Sequence, residues 1–297
     1  MNAIQRTFMP GSRCIYMKLY TGEKTADDLL VKVVSPLIQK LKKKQFIEKW
    51  FFIRFADPDF HLRIRIFLYD AQLADNVIGL FQQKLQKWNT DCLLWKMQID
   101  TYERELERYG KYMIEETESV FYADSECILS IVKNLNNNEN YRWMIALKLI
   151  EELLSDFGLT MKKKQKLIEN VSKSYKTEFG FNDFNAKQFN TKFRENKKLV
   201  ESVLNNTITD KAFIILYQPI KKRTKQIMPI VDQIKSKSKN DSSISELLKN
   251  YLHMMINRLF RSKNRLHELI LYDFMLRYYT SEIAKEKNNK KVNICME

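Results

Sequence analysis

The chain has 297 residues, 44% of them hydrophobic, and a formal net charge of +15. This length fits one large domain or two closely packed ones, with enough apolar content for a substantial core. Six glycines and five prolines suit long helices and exclude a glycine-rich phosphate-binding loop. The net positive charge favours acidic partners, namely nucleic acid, anionic lipid or a negatively charged substrate. Lysine on solvated helix faces is, however, the commoner cause of such an excess of positive charge.

Neither membrane insertion nor secretion is indicated by the sequence. No run of about 18 apolar residues occurs, so no membrane span is expected, and residues 1–12 lack the apolar block of a signal peptide. The cysteines, Cys14, Cys92, Cys127 and Cys295, have no metal-binding spacing, which favours reduced thiols and argues against structural zinc. We therefore expect a cytoplasmic protein without a metal or an organic cofactor.

The first part of the chain alternates between strand and helix patterns. In chain order these predict a strand at Ser12–Tyr20, a helix at Asp27–Lys42, a hairpin at Trp50–Phe67, a helix at Ala71–Trp88 and a strand at Leu93–Thr101. Thr25 is the expected N-cap of the first helix, and Pro36 inside that helix predicts a kink or a split.

The hairpin Trp50–Phe67 carries the most informative pattern. Its turn is expected at Asp57-Pro58-Asp59, and alternate residues of a strand share a face, so His61, Arg63 and Arg65 line up on one side. Two guanidiniums beside an imidazole form a good receptor for a carboxylate. A solvated sheet face would explain the row equally well. Arg54, on the first strand, is a further cation close to the turn.

After Tyr102 the pattern becomes helical. Helices are predicted at Ile114–Lys133, Tyr141–Phe157, Met161–Thr177, Ala186–Leu204, Ala212–Ser236, Ser243–Arg258 and Leu266–Glu286. Pro219 and Pro229 should break or bend the fifth. The predicted fold is α+β, with an N-terminal mixed or antiparallel sheet layer over residues 1–110 and a mainly helical part over residues 111–297, within a single domain.

A second charged segment is Tyr102–Gly110. If this segment is helical, Glu105 and Arg108 share a face at i, i+3, and Arg104 and Arg108 are like-charged neighbours at i, i+4 that need a nearby anion. A surface ion-pair ladder would produce the same pattern. The segment is therefore either an anion site or a solvated helix face.

A third segment, Tyr251–Phe260, places polar groups on an apolar helix. His253 and Asn257 are four residues apart on one face, and Arg258 follows directly. Such groups are costly to bury without partners. A hydrogen-bonded core histidine and a functional histidine are both compatible with this pattern. Glu268 is a further acidic candidate on the last predicted helix.

These three segments, in this order, resemble the C-terminal domain of class I lantibiotic dehydratases, which also occurs alone in thiopeptide and related biosynthetic clusters. The matching stretches are Arg6–Leu30, Lys49–Ile66, Tyr102–Gly110, Val120–Ser125, His253–Phe260 and Glu268–Tyr279. One departure is visible: the family often has two glycines after the Arg-Tyr of the second segment, whereas here Gly110 is followed by Lys111.

The resemblance implies a lyase. In that family a partner esterifies a Ser or Thr of a precursor peptide with glutamate from glutamyl-tRNA. The C-terminal domain then removes the Cα proton and expels glutamate, which leaves dehydroalanine or dehydrobutyrine. By resemblance, the elimination residues are Arg65, Arg108 and His253. The candidate substrate-binding residues are Arg54, His61, Arg63, Glu105, Asn257, Arg258 and Glu268.

The expected partners follow from the same resemblance. They are the glutamylated precursor peptide, a separate tRNA-dependent glutamylating protein and a cyclase; direct tRNA binding is not expected, because no sequence remains here for a glutamylation domain. Two other functions stay open: a pyridine-forming cycloaddition enzyme, and a non-catalytic subunit that binds a leader peptide by edge-strand pairing. The presence of Arg65, Arg108 and His253 together favours elimination.

Overall fold

The computed structural model describes residues 4–135, 138–238 and 240–294, so Cys295 lies outside the described residues. The chain forms two compact units: residues 1–136 with 221–262, called the sheet unit, and residues 137–220 with 263–297, called the helical unit. This division does not test the prediction of a single domain, which stays a prediction. No helix in the described ranges is both long and apolar enough to cross a membrane.

The sheet unit contains two antiparallel sheets. Its strands are β1 Thr7–Phe8, β2 Cys14–Thr21, β3 Ile47–Ala56, β4 Phe60–Leu68, β5 Leu94–Asp100 and β6 Tyr102–Glu103. The larger sheet has the spatial order β3-β4-β2-β5, and the smaller one pairs β1 with β6. Because the antiparallel sheets come first and helices dominate afterwards, the α+β prediction is confirmed.

The helices follow the predicted order with shifted ends. They are α1 Thr25–Leu29, α2 Ser35–Lys43, α3 Ala74–Thr90, α4 Leu106–Tyr109, α5 Ile114–Asn134, α6 Glu139–Asp156, α7 Met161–Glu178, α8 Asp183–Leu204, α9 Lys211–Lys237, α10 Asp241–Leu259 and α11 Asn264–Ile294. Within the helical unit, α11 packs against α6, α7 and α8. Within the sheet unit, α5 and α10 pack against β3.

The first predicted helix is split, as its proline suggested. Leu30–Val34 forms a π-helical turn between α1 and α2, in which the Ser35 N–H donates to the Leu30 carbonyl five residues back. Pro36 has no N–H to donate, so the normal ladder is interrupted at this point. The N-cap prediction was wrong: α1 begins at Thr25 itself, with Lys24 in the cap position and no capping side chain.

Of the two effects predicted for Pro219 and Pro229, a break or a bend, the break does not occur, because α9 runs without interruption from Lys211 to Lys237. Apolar side chains are buried along this helix, among them Phe213, Ile220 and Val231. Burial of such side chains stabilises a helix more than the loss of single backbone hydrogen bonds weakens it.

The predicted hairpin is confirmed, with β3 and β4 joined through residues 57–59. In the register of β3 and β4, Phe51 lies opposite Arg65 and Phe55 lies opposite His61. In the register of β2 and β4, Tyr16 lies opposite Arg65. Paired residues of antiparallel strands point to the same face. One sheet face therefore mixes cations with aromatic rings, whereas Leu62, Ile64 and Ile66 of β4 are fully buried on the opposite face.

The outer edge of β3 is closed by side chains rather than by another strand. The Phe52 N–H donates to Ser125 Oγ at 3.2 Å, and the Arg54 N–H donates to Asn257 Oδ1 at 2.9 Å. In return, Asn257 Nδ2 donates to the Arg54 carbonyl at 2.8 Å, and Arg258 Nε donates to the Phe52 carbonyl at 2.8 Å. Since these backbone groups are already satisfied, an added peptide strand cannot pair with β3 at Phe52 and Arg54.

Candidate functional site

Arg65 is a buried cation surrounded by aromatic rings. It is 8% exposed, and its guanidinium lies 4.5, 5.1 and 5.5 Å from the ring centres of Tyr16, Tyr102 and Phe51. Within the described ranges no carboxylate pairs with it, and its Nε is buried without a hydrogen-bond partner. Cation–π contacts offset only part of the cost of burying a charge. The Arg65 guanidinium is therefore available to bind an anion.

Arg63 and His61 extend the same row toward the turn, as the strand alternation predicted. Arg63 Nε donates to His61 Nε2 at 3.0 Å, and His61 Nδ1 lies 2.8 Å from the Asp59 carbonyl. This pairing fixes the neutral imidazole with its proton on Nδ1. Burial is the main cause that lowers the pKa of His61, and the neighbouring Arg63 charge lowers it further. His61 is thus held as an acceptor for Arg63.

The lowered pKa of His61 makes stability depend on pH. Because the folded state resists protonation of His61, it binds fewer protons than the unfolded chain near and below pH 6.5. The stabilising effect is present above the unfolded pKa and is lost as the pH falls through the folded one. Urea unfolding of wild type and His61→Gln at neutral and mildly acidic pH measures this, and we expect the variant to lose less stability on acidification. Equal losses in the two proteins would rule this coupling out.

Arg108 connects α4 to α10. Its Nη1 lies 3.3 Å from Glu105 Oε2, and its Nε donates to Asn250 Oδ1 at 2.9 Å. The predicted Glu105–Arg108 pair is therefore confirmed. The helix begins only at Leu106, however, so the expected helical pairing of Arg104 with Arg108 was wrong.

Arg104 instead belongs to a separate neutralised cluster. Its Nε and Nη2 donate to the fully buried Glu118 at 2.8 and 2.7 Å, and Lys49 Nζ lies 3.0 Å from the same carboxylate. Tyr102 also donates to Glu118 at 3.1 Å. A cavity of about 440 Å³ opens beside Arg104 and Lys49. Glu115 Oε1 also lies 3.7 Å from Arg104 Nη1. Because two carboxylates offset these two cations, the cavity wall lacks the uncompensated charge found at Arg65.

His253 lies on α10 between two anchor points of that helix. Asn250, one turn before His253, contacts Arg108, and Asn257, one turn after it, holds the backbone of Arg54. His253 is partly exposed. One helix therefore links Arg108, His253 and the strand pair that carries Arg65.

Arg258 is fully buried beneath this helix. Its guanidinium lies 4.6 Å from the Phe121 ring centre, and its Nη1 lies 3.8 Å from Asp124 Oδ2. Arg223 approaches the other oxygen of Asp124 at 3.3 Å. Burial lowers the pKa of Arg258 to about 10, although the Asp124 charge opposes this. Asp124 therefore lies between two buried guanidiniums.

Arg54 is held inside the protein as well. Its Nη2 donates to Asp27 Oδ1 at 2.5 Å and its Nε donates to the Arg258 carbonyl at 3.0 Å, while Arg261 Nε donates to Asp27 Oδ2 at 2.6 Å. Sequence reasoning did not identify Asp27 or Asp124 as partners. Both lie within stretches that match the resembled family, and this was the available signal.

Glu268 belongs to the helical unit, whereas all the other candidate residues belong to the sheet unit. It is fully buried, and the Tyr272 hydroxyl donates to its carboxylate at 3.1 Å. Tyr175 packs edge-on against Tyr272 at 5.4 Å. Glu268 therefore has an ordered polar environment within its own unit.

Arg65 and the rings of Tyr16, Phe51 and Tyr102 form a basic, aromatic-lined part of the sheet unit that is suited to binding an anion. Residues 15–279 match the family described as the lantibiotic biosynthesis dehydratase C-terminus. The chain therefore belongs to this family.

Individual proteins show the same relationship. The chain is 22% identical over 288 residues to the subtilin biosynthesis protein SpaB of Bacillus subtilis; the match covers 91% of this chain and 26% of SpaB. The tRNA-dependent lantibiotic dehydratase MibB of Microbispora sp. 107891 shares the fold with a TM-score of 0.73 at 18% identity, over 93% of this chain and 29% of MibB. The pyridine synthase TbtD, from thiomuracin biosynthesis, shares it with a TM-score of 0.68 at 10% identity, over 92% and 99% of the two chains. The chain thus spans about a quarter of the length of SpaB.

Proposed function

We propose that this protein is a lyase that eliminates glutamate from glutamylated Ser or Thr residues of a ribosomally made precursor peptide. The products are dehydroalanine or dehydrobutyrine and free glutamate, and a separate tRNA-dependent protein supplies the glutamate ester. The observation that carries this proposal is the buried Arg65, which has aromatic neighbours and no carboxylate partner among the described residues. Family membership and the tRNA-dependent dehydratase MibB among the similar folds support it.

The chemistry needs the residue types found here. The Cα proton of a peptide residue is weakly acidic, so the enolate oxygen that forms on its removal requires electrostatic support. The departing glutamate leaves as a carboxylate and carries a second one, and guanidiniums bind carboxylates through paired hydrogen bonds. In this proposal Arg65 and Arg108 hold the departing acid. His253 moves a proton, which imidazoles do readily in the physiological pH range.

The remaining candidates divide into two groups by their contacts. Arg63 and His61 continue the cationic face of β4 and extend the surface that receives the substrate. Arg54, Asn257 and Arg258 contact backbone carbonyls, a backbone N–H or buried carboxylates. We assign these three residues to positioning α10, and with it His253, against the edge of β3.

The test supplies a synthetic glutamylated precursor peptide and follows its mass. Loss of one glutamic acid per ester supports the lyase, and the same peptide without the ester is the matched control. A peptide that already bears dehydroalanines is incubated in parallel. If that peptide loses mass through cyclisation while the glutamylated one stays intact, the cycloaddition function replaces the proposal. Binding without any mass change would leave a peptide-binding subunit.

A further inference from the structure

Tyr109 is a buried residue with an unused hydroxyl. It is the last residue of α4 and is 4% exposed. Its ring packs edge-on against Phe121 at 5.3 Å and stacks on Tyr251 at 6.4 Å. Within the described part of the chain its hydroxyl oxygen has no hydrogen-bond partner. Buried hydroxyls are normally satisfied, so this exception requires an explanation.

The neighbouring tyrosine shows what a purely structural hydroxyl looks like here. Tyr251 is fully buried in the same aromatic cluster, and its hydroxyl lies 2.7 Å from Thr117 Oγ1. Both tyrosines contact Phe121. The cluster can therefore provide an internal partner for a hydroxyl, and it does so for Tyr251 but not for Tyr109.

The charges around Tyr109 indicate which kind of partner would fit. Burial is the main cause that raises the pKa of Tyr109 to about 12; the charge of Glu105 raises it too, whereas the charges of Arg108, Arg258 and Arg65 lower it. The hydroxyl therefore stays protonated and is available as a donor. The Arg108 guanidinium lies 5.4 Å from the centre of the Tyr109 ring. A hydroxyl donor beside a guanidinium matches an acceptor oxygen that carries negative charge.

We infer that Tyr109 is a further substrate-contacting residue, whose hydroxyl donates a hydrogen bond to an anionic oxygen of the glutamylated peptide beside Arg65. This inference rests on the proposed elimination and deepens it. In this inference the Tyr109 hydroxyl, which has no hydrogen-bond partner in the free protein, finds its acceptor in the bound substrate. Sequence reasoning missed it, although it directly follows Arg108 in the matched stretch Tyr102–Gly110.

The test compares Tyr109→Phe with Tyr251→Phe, which removes the neighbouring hydroxyl. We expect Tyr109→Phe to eliminate glutamate about 10- to 100-fold more slowly than wild type, without loss of resistance to urea, because no internal hydrogen bond is broken. Tyr251→Phe should show the reverse: lower resistance to urea, and an elimination rate within about threefold of wild type for the folded protein.

The outcomes separate this inference from the proposed function. Wild-type rates in a folded Tyr109→Phe, with active wild type, would overturn the role of Tyr109 and leave the lyase intact. If wild type itself does not eliminate, the lyase proposal fails, and the affinity for glutamylated peptide becomes the readout. Weaker binding by Tyr109→Phe would then still support the contact, and equal binding would overturn it.

Discussion

Replacing Arg65 with alanine is expected to slow glutamate elimination by about 1,000-fold and to leave glutamylated peptide to accumulate. The variant removes a cation that contacts three aromatic rings but no carboxylate among the described residues, so the loss should fall on the reaction rather than on folding. Arg65→Lys keeps the charge but not the two-pronged geometry, and we expect an intermediate rate, about 100-fold below wild type. Peptide mass against time measures both rates.

The matched control is Arg13→Ala, which removes an exposed arginine of the same unit that pairs with Glu48 at 3.2 Å. Its elimination rate should remain close to that of wild type. Thermal unfolding shows whether each variant is folded. A folded Arg65→Ala protein that eliminates as fast as the Arg13→Ala control would refute a role for Arg65 in binding the departing acid.

Asp124→Asn is expected to cost about 3–5 kcal/mol of unfolding free energy, the largest stability effect anticipated in this protein. Asp124 is fully buried and is the carboxylate that Arg223 and Arg258 share. An asparagine of nearly the same shape takes away this negative charge while both guanidiniums stay buried. Burial raises the pKa of Asp124, and the charges of Arg223 and Arg258 oppose that rise. Urea unfolding measures the difference.

Glu115→Gln is the control for Asp124, since it changes an acid on the same helix whose side chain is 65% exposed and lies 3.7 Å from Arg104. Its effect should stay below about 0.5 kcal/mol, as for other exposed pairs. A loss of less than about 1 kcal/mol in Asp124→Asn would mean that the buried cluster does not need this carboxylate. Because Arg258 also holds the edge of β3, the elimination rate of Asp124→Asn should fall as the protein destabilises.

The local features of the fold followed from short-range patterns. The alternation of residues in a strand placed His61, Arg63 and Arg65 on one face, and the Arg63–His61 hydrogen bond confirms this. Pro36 interrupted its helix as its missing N–H requires. In α9, by contrast, Pro219 and Pro229 do not break the helix, and apolar side chains are buried along it on both sides of these prolines. A prediction from short-range pattern therefore holds only where the free energy gained by burying side chains is smaller than the free-energy cost of the unfavourable residue.

The sequence by itself determined the residue types of the site, their order and the strand face that carries Arg65. Residue type and spacing alone could not distinguish Arg65 from Arg54, Arg104 and Arg258, and only the family resemblance singled out Arg65. Only the tertiary structure decided which of them meet carboxylates, since Asp27, Glu118 and Asp124 approach the other three from different elements. A buried arginine carries its charge wherever it stands in the sequence, but its counter-ion comes from residues that only the fold brings close. Within the described part of the chain, no carboxylate is brought close to Arg65 in this way.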